Sequence, residues 1–264
     1  MPICTLRLLS LSVPIIQFLH ALSSSPTKPL VVSKVIRWII LPTSTSTSEL
    51  LAKNIHWDIL LILPSTHPLP SQLQKLVKHE WSVQAGVPSR LIQDFATKNK
   101  KLLKPEKGDV PLLTGALDKA RIATSAQALE LSPELLGWAE DFGRAEGSGA
   151  VSMLNLLAFK PGLKEEYLKY GAEFAKSAGS KRGGNAKIVG SVIHNGGAGD
   201  GGDGWDEVAL AHYPSVFHFA DSTYFSEKLL LHSGPIRELY SKDGFWLQEQ
   251  FAELLLYRRI SLPN

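Results

Sequence analysis

Residues 150–224 constrain the fold more than any other part of the chain. From Val151 to Phe159, alternate side chains divide into Val151, Met153, Asn155, Leu157 and Phe159 on one face and Ser152, Leu154, Leu156 and Ala158 on the other. Both faces are nearly apolar, so the run reads as a central strand covered on both sides. Pro161-Gly162 stops it. Leu163, Tyr167, Tyr170, Phe174 and Ala178 then recur at helical spacing, with Lys164, Glu165, Lys169, Glu173 and Lys176 turned elsewhere, which predicts an amphipathic helix. The Gly183-Gly184 turn leads into a second strand, Ala186 to His194, and a glycine-rich loop at 196–204 joins it to a third, Trp205 to Tyr213. Pro214-Ser215 ends that strand and caps a helix with Phe217, Ala220 and Tyr224 on one face.

Strand, helix, strand, strand, helix is most of a ferredoxin-like βαββαβ unit, and the class expected is α+β. One strand is owed by 227–264. Ala252 to Ile260 is the candidate, although Phe251, Leu254, Leu255 and Tyr257 suit a helix as well. Upstream, Ile55 to Leu63 has strand length and is closed by Pro64, Leu69 to Glu80 places Leu69, Leu73, Leu76 and Val77 on one helical face, and Pro88 to Phe95 starts another helix. Lys98 to Lys107 reads as a solvated basic stretch and 104–131 as a mostly irregular connection. Ser132 and Pro133 signal the N-cap and first turn of a helix that ends near Gly143. The division expected is an N-terminal α/β half at 55–145 and a ferredoxin-like domain at 150–264. The opening at 55 imitates 150–178, but the rest does not repeat, so a related half-barrel at 55–130 stays open.

The first fifty residues differ in composition. No Asp or Glu precedes Glu49, while Arg7, Lys28, Lys34 and Arg37 supply positive charge and Ser and Thr abound. Residues 1–54 therefore read as a targeting-like or disordered extension outside the fold, ending in the Thr43 to Ser48 linker. A transit segment, a secretory signal and an untargeted terminus are the alternatives; the cytoplasm is the default compartment and the mitochondrion the other. The apolar run Leu8 to Leu22, broken by Pro14, Gln17 and His20, is too short and interrupted for a stable membrane span.

Composition narrows the function classes. The chain has 264 residues, 44% of them hydrophobic, enough for one or two ordinary cores. A net charge of +3 gives no concentrated basic surface, and no nucleic-acid partner is expected. The single cysteine, Cys4, rules out an internal disulfide and any site of several thiolates. The loop 196–204 lacks the Gly-Lys-Ser/Thr ending of a phosphate cradle. Asp200, Asp203 and Asp206 lack the closing Glu of a calcium loop, the histidines form no zinc pair, and no Gly-x-Ser-x-Gly elbow occurs. No metal and no cofactor are expected.

Candidate site residues come from strand faces and loop ends. Asn155 is the polar member of an apolar face and has either a buried partner or a ligand to orient. His212 shares a face with Val208 and Leu210, where an imidazole either moves a proton or is a satisfied core group. Tyr167 and Tyr170 sit on the buried stripe of their helix and, with Tyr213, are candidate substrate contacts as well as core. Arg182, beside Lys181 before the glycine turn, is placed to clamp a carboxylate or enolate, or else is solvated.

Ser152 to Phe159, the helix with Tyr167, the Gly183-Gly184 turn, His212-Tyr-Pro-Ser215 and Asp221-Ser-Thr-Tyr224 resemble the small uncharacterised-domain family numbered 1330. The whole chain resembles the longer fungal proteins carrying that domain, through His56-Trp-Asp-Ile-Leu60 and Glu80 to Leu91. The resemblance implies a dimeric α/β-barrel, in which the ferredoxin-like sheets of a homodimer pack face to face around a pocket. By analogy with such barrels, one expectation is a cofactor-independent enzyme, isomerase-, cyclase- or monooxygenase-like, acting on a small enolisable or aromatic metabolite. His212 would then move a proton, Asn155 orient an oxygen and Arg182 stabilise negative charge. The other is a non-catalytic protein for small-ligand binding or dimerisation. Convergence of Asn155 and His212 on one cavity favours the first; a filled interface favours the second.

Overall fold

Eight strands, each antiparallel to both neighbours, close into a barrel in the order β1-β3-β2-β8-β5-β7-β6-β4. They are β1 (Ile3–Leu11), β2 (Val31–Ile40), β3 (Ile59–Leu63), β4 (Val77–Gly86), β5 (Val151–Phe159), β6 (Asn185–Val192), β7 (Glu207–Tyr213) and β8 (Gln248–Tyr257). The computed structural model describes residues 1–43, 45–119, 122, 131–146, 149–162, 164–165, 167–169, 180–193, 204–222 and 248–257. Strand orders β4-β1-β3-β2 and β8-β5-β7-β6 are each the order of a ferredoxin-like unit, so the chain holds two such units in tandem. The α+β, ferredoxin-like expectation is met, and the owed strand is β8. The two-sheet barrel that the resemblance assigned to a pair of copies is closed here by one chain.

The residues expected to lie outside the fold, 1–54, build half of the first sheet. In β1, Cys4, Leu6 and Leu8 point inward and Leu9 packs outward, all fully buried. Helix α1 (Ile15–Ser23) lays Phe18, Leu19 and Leu22 on the outer face of the same sheet, against Val32, Ile59 and Leu61. The acid-free composition mimicked a targeting segment because a strand covered on both faces has few places for a carboxylate. Arg7 and Arg37 turn to the outer face of the sheet: Arg7 pairs with Glu80 and donates to the His67 carbonyl, and Arg37 pairs with Glu134.

The helix expected over Leu69 to Glu80 is also replaced. Only α2 (Ser71–Gln74) is helical, and Val77 onward belongs to β4. Trp81, Val83 and Ala85 alternate inward at period two, and pairing with β1 along nearly the whole strand outweighs the helical spacing upstream. Farther on, α3 (Ser89–Ile92) and α4 (Phe95–Leu103) follow Pro88, and the left-handed Asp94, at φ 55°, turns the chain between them. Helix α5 (Pro133–Glu146) starts as expected, with the Leu135 amide donating to Ser132 Oγ at 3.1 Å. Residues 216–222 are helical after the Ser215 cap, whose Oγ accepts from the His218 amide. The glycine-rich loop up to Asp203 lies outside the described residues.

One apolar cluster fills the barrel and draws on both units: Leu6, Leu60 and Val83 from the first meet Leu154, Ile188 and Leu210 from the second. Where β3 and β7 begin, Leu50, Trp57 and Trp205 join it, with Trp57 Nε1 donating to the Leu50 carbonyl and Trp205 Nε1 to Ser46 Oγ. At the opposite end, where β4 and β7 finish and β6 starts, Phe95 of α4 joins the cluster. Outside the second sheet, Leu135, Ala139 and Phe142 of α5 cover Val151, Met153 and Tyr213.

The two seams between the units differ. The β2–β8 seam runs from Lys34 opposite Tyr257 to Ile40 opposite Glu253, whereas β4 and β6 pair only at Ala85 with Val192 and Gly86 with Ser191. At that short seam, a Cβ on Gly190 would sit 2.9 Å from the Gly86 carbonyl oxygen and 3.0 Å from Val87 Cγ2. Gly190→Ala is expected to destabilise the protein by about 1–3 kcal/mol through overpacking. The control Gly137→Ala on α5, whose Cβ meets nothing within 4 Å, should be neutral or stabilising by up to about 1 kcal/mol. Urea unfolding of the two variants checks the contrast.

Candidate functional site

A cavity of about 550 Å³ opens at the barrel mouth where β7 ends and β6 starts, roofed by α3, α4 and residues 105–110. The stripe that docks α4 explains what faces it. Phe95, Asn99 and Leu102 share one side of the helix; Phe95 anchors in the barrel core, which carries Asn99 into a buried position, 6% exposed. Lys98 and Lys101 flank the stripe. The Lys98 ammonium donates to the Arg90 and Gln93 carbonyls, tying α4 back to the end of α3.

The opposite wall is the second sheet. His212 occupies the inner face of β7, between Ser152 on β5 and Asn185 on β6, and is 1% exposed. The β6 register shifts between Ala186 and Ile188, and this bulge carries Lys187, 6% exposed, into the cavity wall. Burial, and then the charge of Lys187, lower the His212 pKa from 6.5 to about 3. The imidazole is thus neutral at physiological pH. Among the described residues, His212 Nδ1 and Asn99 Oδ1 are buried without a hydrogen-bond partner, and both residues line this one cavity.

The residues singled out from the sequence do not assemble into one site. Asn155 stands on the outer face of β5, opposite Ala209, and its amide makes only long contacts of 3.4 Å to the Met153 and Ala209 carbonyls. His212 is on the inner face, so the two point to opposite sides of the sheet. Arg182 does not line the cavity. It is buried with its Nε donating to Asp221 at 2.9 Å, and Thr114 Oγ1 bridges both side chains. Tyr213 is core, edge-on to Phe219 at 5.5 Å. Tyr167 packs on Phe159 at 4.9 Å, and Tyr170 lies outside the described residues.

Sequence reading passed over Asn99 and Lys187. A usable signal existed for Asn99: an amide four residues after Phe95 falls on the helix's apolar stripe, the same buried-polar pattern that marked Asn155. For Lys187 there was none, because a strand bulge decides which way it turns. The basic stretch from Lys98, read as a solvated face, supplies part of the cavity wall. Among the described residues no group of three His, Cys, Asp or Glu side chains could hold a metal ion, and no helix is long and apolar enough to cross a membrane.

Fold and cavity together define a tandem ferredoxin-like α/β-barrel with a largely apolar cavity at a barrel mouth, into whose walls Asn99 and His212 bring buried polar groups. No family model matches the chain, and no curated protein matches it. Among solved structures it is similar to a protein of Lactobacillus acidophilus whose name carries a conjectural monooxygenase activity. The identity is 8% over 97% of this chain and 93% of that one, with a TM-score of 0.41.

Between pH 6.5 and about 3, the unfolded chain holds a proton on His212 that the folded chain does not, so stability falls as pH drops through that window. Glu207, whose pKa burial raises, contributes the opposite slope from 4.5 upward, and does so equally in variants at position 212. His212→Gln should therefore flatten the loss of the urea midpoint between pH 6.5 and pH 4. The buried Arg182–Asp221 pair, 8% and 1% exposed, gives a second expectation. Asp221→Leu alone should cost about 3–5 kcal/mol by breaking a buried ion pair, and the double change with Arg182→Met should recover much of that in a thermal double-mutant cycle.

Proposed function

We propose that this chain is a small-ligand-binding α/β-barrel protein whose binding site is the cavity at the β6–β7 mouth, and that it binds rather than transforms. The observation that carries this reading is the pair of buried, unpartnered polar atoms, Asn99 Oδ1 and His212 Nδ1, on the walls of one cavity. An unmade buried hydrogen bond costs about 1–3 kcal/mol, which a ligand supplying the partner recovers. The cavity volume falls within the range of about 300–1,000 Å³ typical of small-molecule sites.

The enzymatic alternative, a cofactor-independent isomerase-, cyclase- or monooxygenase-like reaction, ranks second. A base with a pKa of about 3 takes a proton poorly near neutrality, Asn155 faces away from His212, and the Arg182 charge is committed to Asp221. Kinship with the family numbered 1330, a fungal source and a cytoplasmic site of action belong to the same proposal, on the residues that suggested them. A homodimer would use a surface other than the barrel seams, since both are closed within the chain.

Fragment screening by protein-observed NMR tests the site. Hits should move resonances of α4 and of the β6 and β7 ends in the native protein, and Asn99→Leu, an apolar replacement expected to keep the fold, should weaken them about tenfold. Hits that bind Asn99→Leu as well as the native protein, or a screen with no hit at this mouth, would overturn the reading.

A further inference from the structure

We infer that the barrel-mouth pocket selects small apolar molecules that carry a hydrogen-bond donor, phenols and N–H heteroarenes among them, and rejects the same skeleton once the donor is masked. The inference rests on the ligand-binding reading above. Asn99 sets the requirement. Its Oδ1 can only accept, is buried, and has no partner. The side chain has little room to turn that oxygen elsewhere, because Asn99 is 6% exposed and Phe95, one turn earlier on the same side of α4, is anchored in the barrel core. Lys98, next in the chain, turns its ammonium back to the Arg90 and Gln93 carbonyls.

The rest of the lining supplies the apolar half of the requirement. The side chains of Leu91, Phe95, Leu102, Pro105, Val110 and Pro214 offer a ligand surface to bury and no donor. His212 Nδ1, also buried and unpartnered, accepts or donates according to its tautomer, so it rewards a heteroatom on the ligand without fixing its kind. Water can enter a mouth of this size and bond both groups, and a ligand must displace it. A ligand with a donor restores the bond to Oδ1, whereas one without a donor strands the oxygen in a drier site than before. Selection therefore comes from the penalty on the wrong ligand more than from new attraction to the right one.

Titration calorimetry on the native chain with matched pairs reads the donor. 2-Naphthol is paired with 2-methoxynaphthalene, which keeps the rings and the oxygen and loses the O–H. Indole is paired with N-methylindole. Indole carries a donor, no charge and no in-plane acceptor, so it separates donation from the other properties of a phenol. In both pairs the donor should bind about tenfold or more tightly. 3-Methylindole, as bulky as N-methylindole but with its N–H intact, should bind like indole. Asn99→Leu should collapse both ratios, and Asn99→Asp, which keeps an acceptor at that place, should preserve or raise them. The ratios in the native protein judge the class even if a variant fails to fold.

Equal binding within both pairs, or tighter binding of the methylated members, overturns the donor requirement; the pocket stands if the probes still shift the α4 resonances. A preference in the naphthol pair alone also overturns it, because the hydroxyl's lone pairs or its ionisation would then be what the site reads. If 3-methylindole weakens as N-methylindole does, bulk is the cause and the class falls. If both preferences survive Asn99→Leu unchanged, Asn99 is not the group that reads the donor and the inference is overturned. If none of the probes binds, the class is overturned and the fragment screen judges the pocket.

Discussion

The shared interior of the barrel is the interaction on which the structure depends. A four-stranded ferredoxin-like sheet covered by helices on one face leaves the other apolar, and here each unit's uncovered face is buried by the other's. Leu6, Leu60 and Val83 have no other place to be dry than against Leu154, Ile188 and Leu210. Closing the sheet also removes the exposed strand edges along which isolated sheets associate. The closure is unequal. The β2–β8 seam is long, while the β4–β6 seam is a two-residue stitch, reinforced by the Ile193 amide donating to the Gln84 carbonyl and dependent on Gly190 having no side chain.

The cavity follows from that interior. Apolar side chains fill the barrel between the strands, and the cavity lies where the strands stop and α4 crosses the mouth. Its polar groups therefore sit against the core rather than against water. This is why the imidazole of His212 stays neutral and why an amide on the inward stripe of α4 has nothing to bond to. The ion pair of Arg182 and Asp221 works at a different place. With Thr114, and with the His218 Nε2 contact to the Pro111 carbonyl, it fastens the connection after α4 to the second unit, and so holds the outer wall of the cavity in position.

Legibility in the sequence tracked how local the determining forces were. Strand β5 could be read residue by residue, since burial on two faces writes itself as an unbroken apolar run, and the Ser132 and Ser215 caps are decided within one helical turn. The second unit's strand order followed from those elements. Residues 1–54 were misread because a two-sided central strand, an apolar surface helix and basic residues on the sheet's outer face have the composition of a targeting segment. Only pairing with β3 and β4, remote in the chain, distinguishes them. The helix expected through Glu80 failed for the same reason. At the site, the inner and outer faces of β5 and β7 were separable by counting, yet nothing in the sequence said that α4 would cross the mouth and add Asn99 to His212.

Holding both units in one chain has a consequence for symmetry. In a barrel made from two identical copies, every substitution appears twice, and whatever is built at one unit's mouth is built at the other's. Here each position is encoded once. Strand β3, the topological counterpart of β7, reads Ile-Leu-Leu-Ile-Leu and is buried throughout, with no imidazole and no polar group, while β7 carries Glu207 and His212. Covalent tandem linkage lets a strand of one unit stay wholly apolar while its counterpart carries a buried imidazole, which a single helix, α4, meets with Asn99, an asymmetry closed to a symmetric pair.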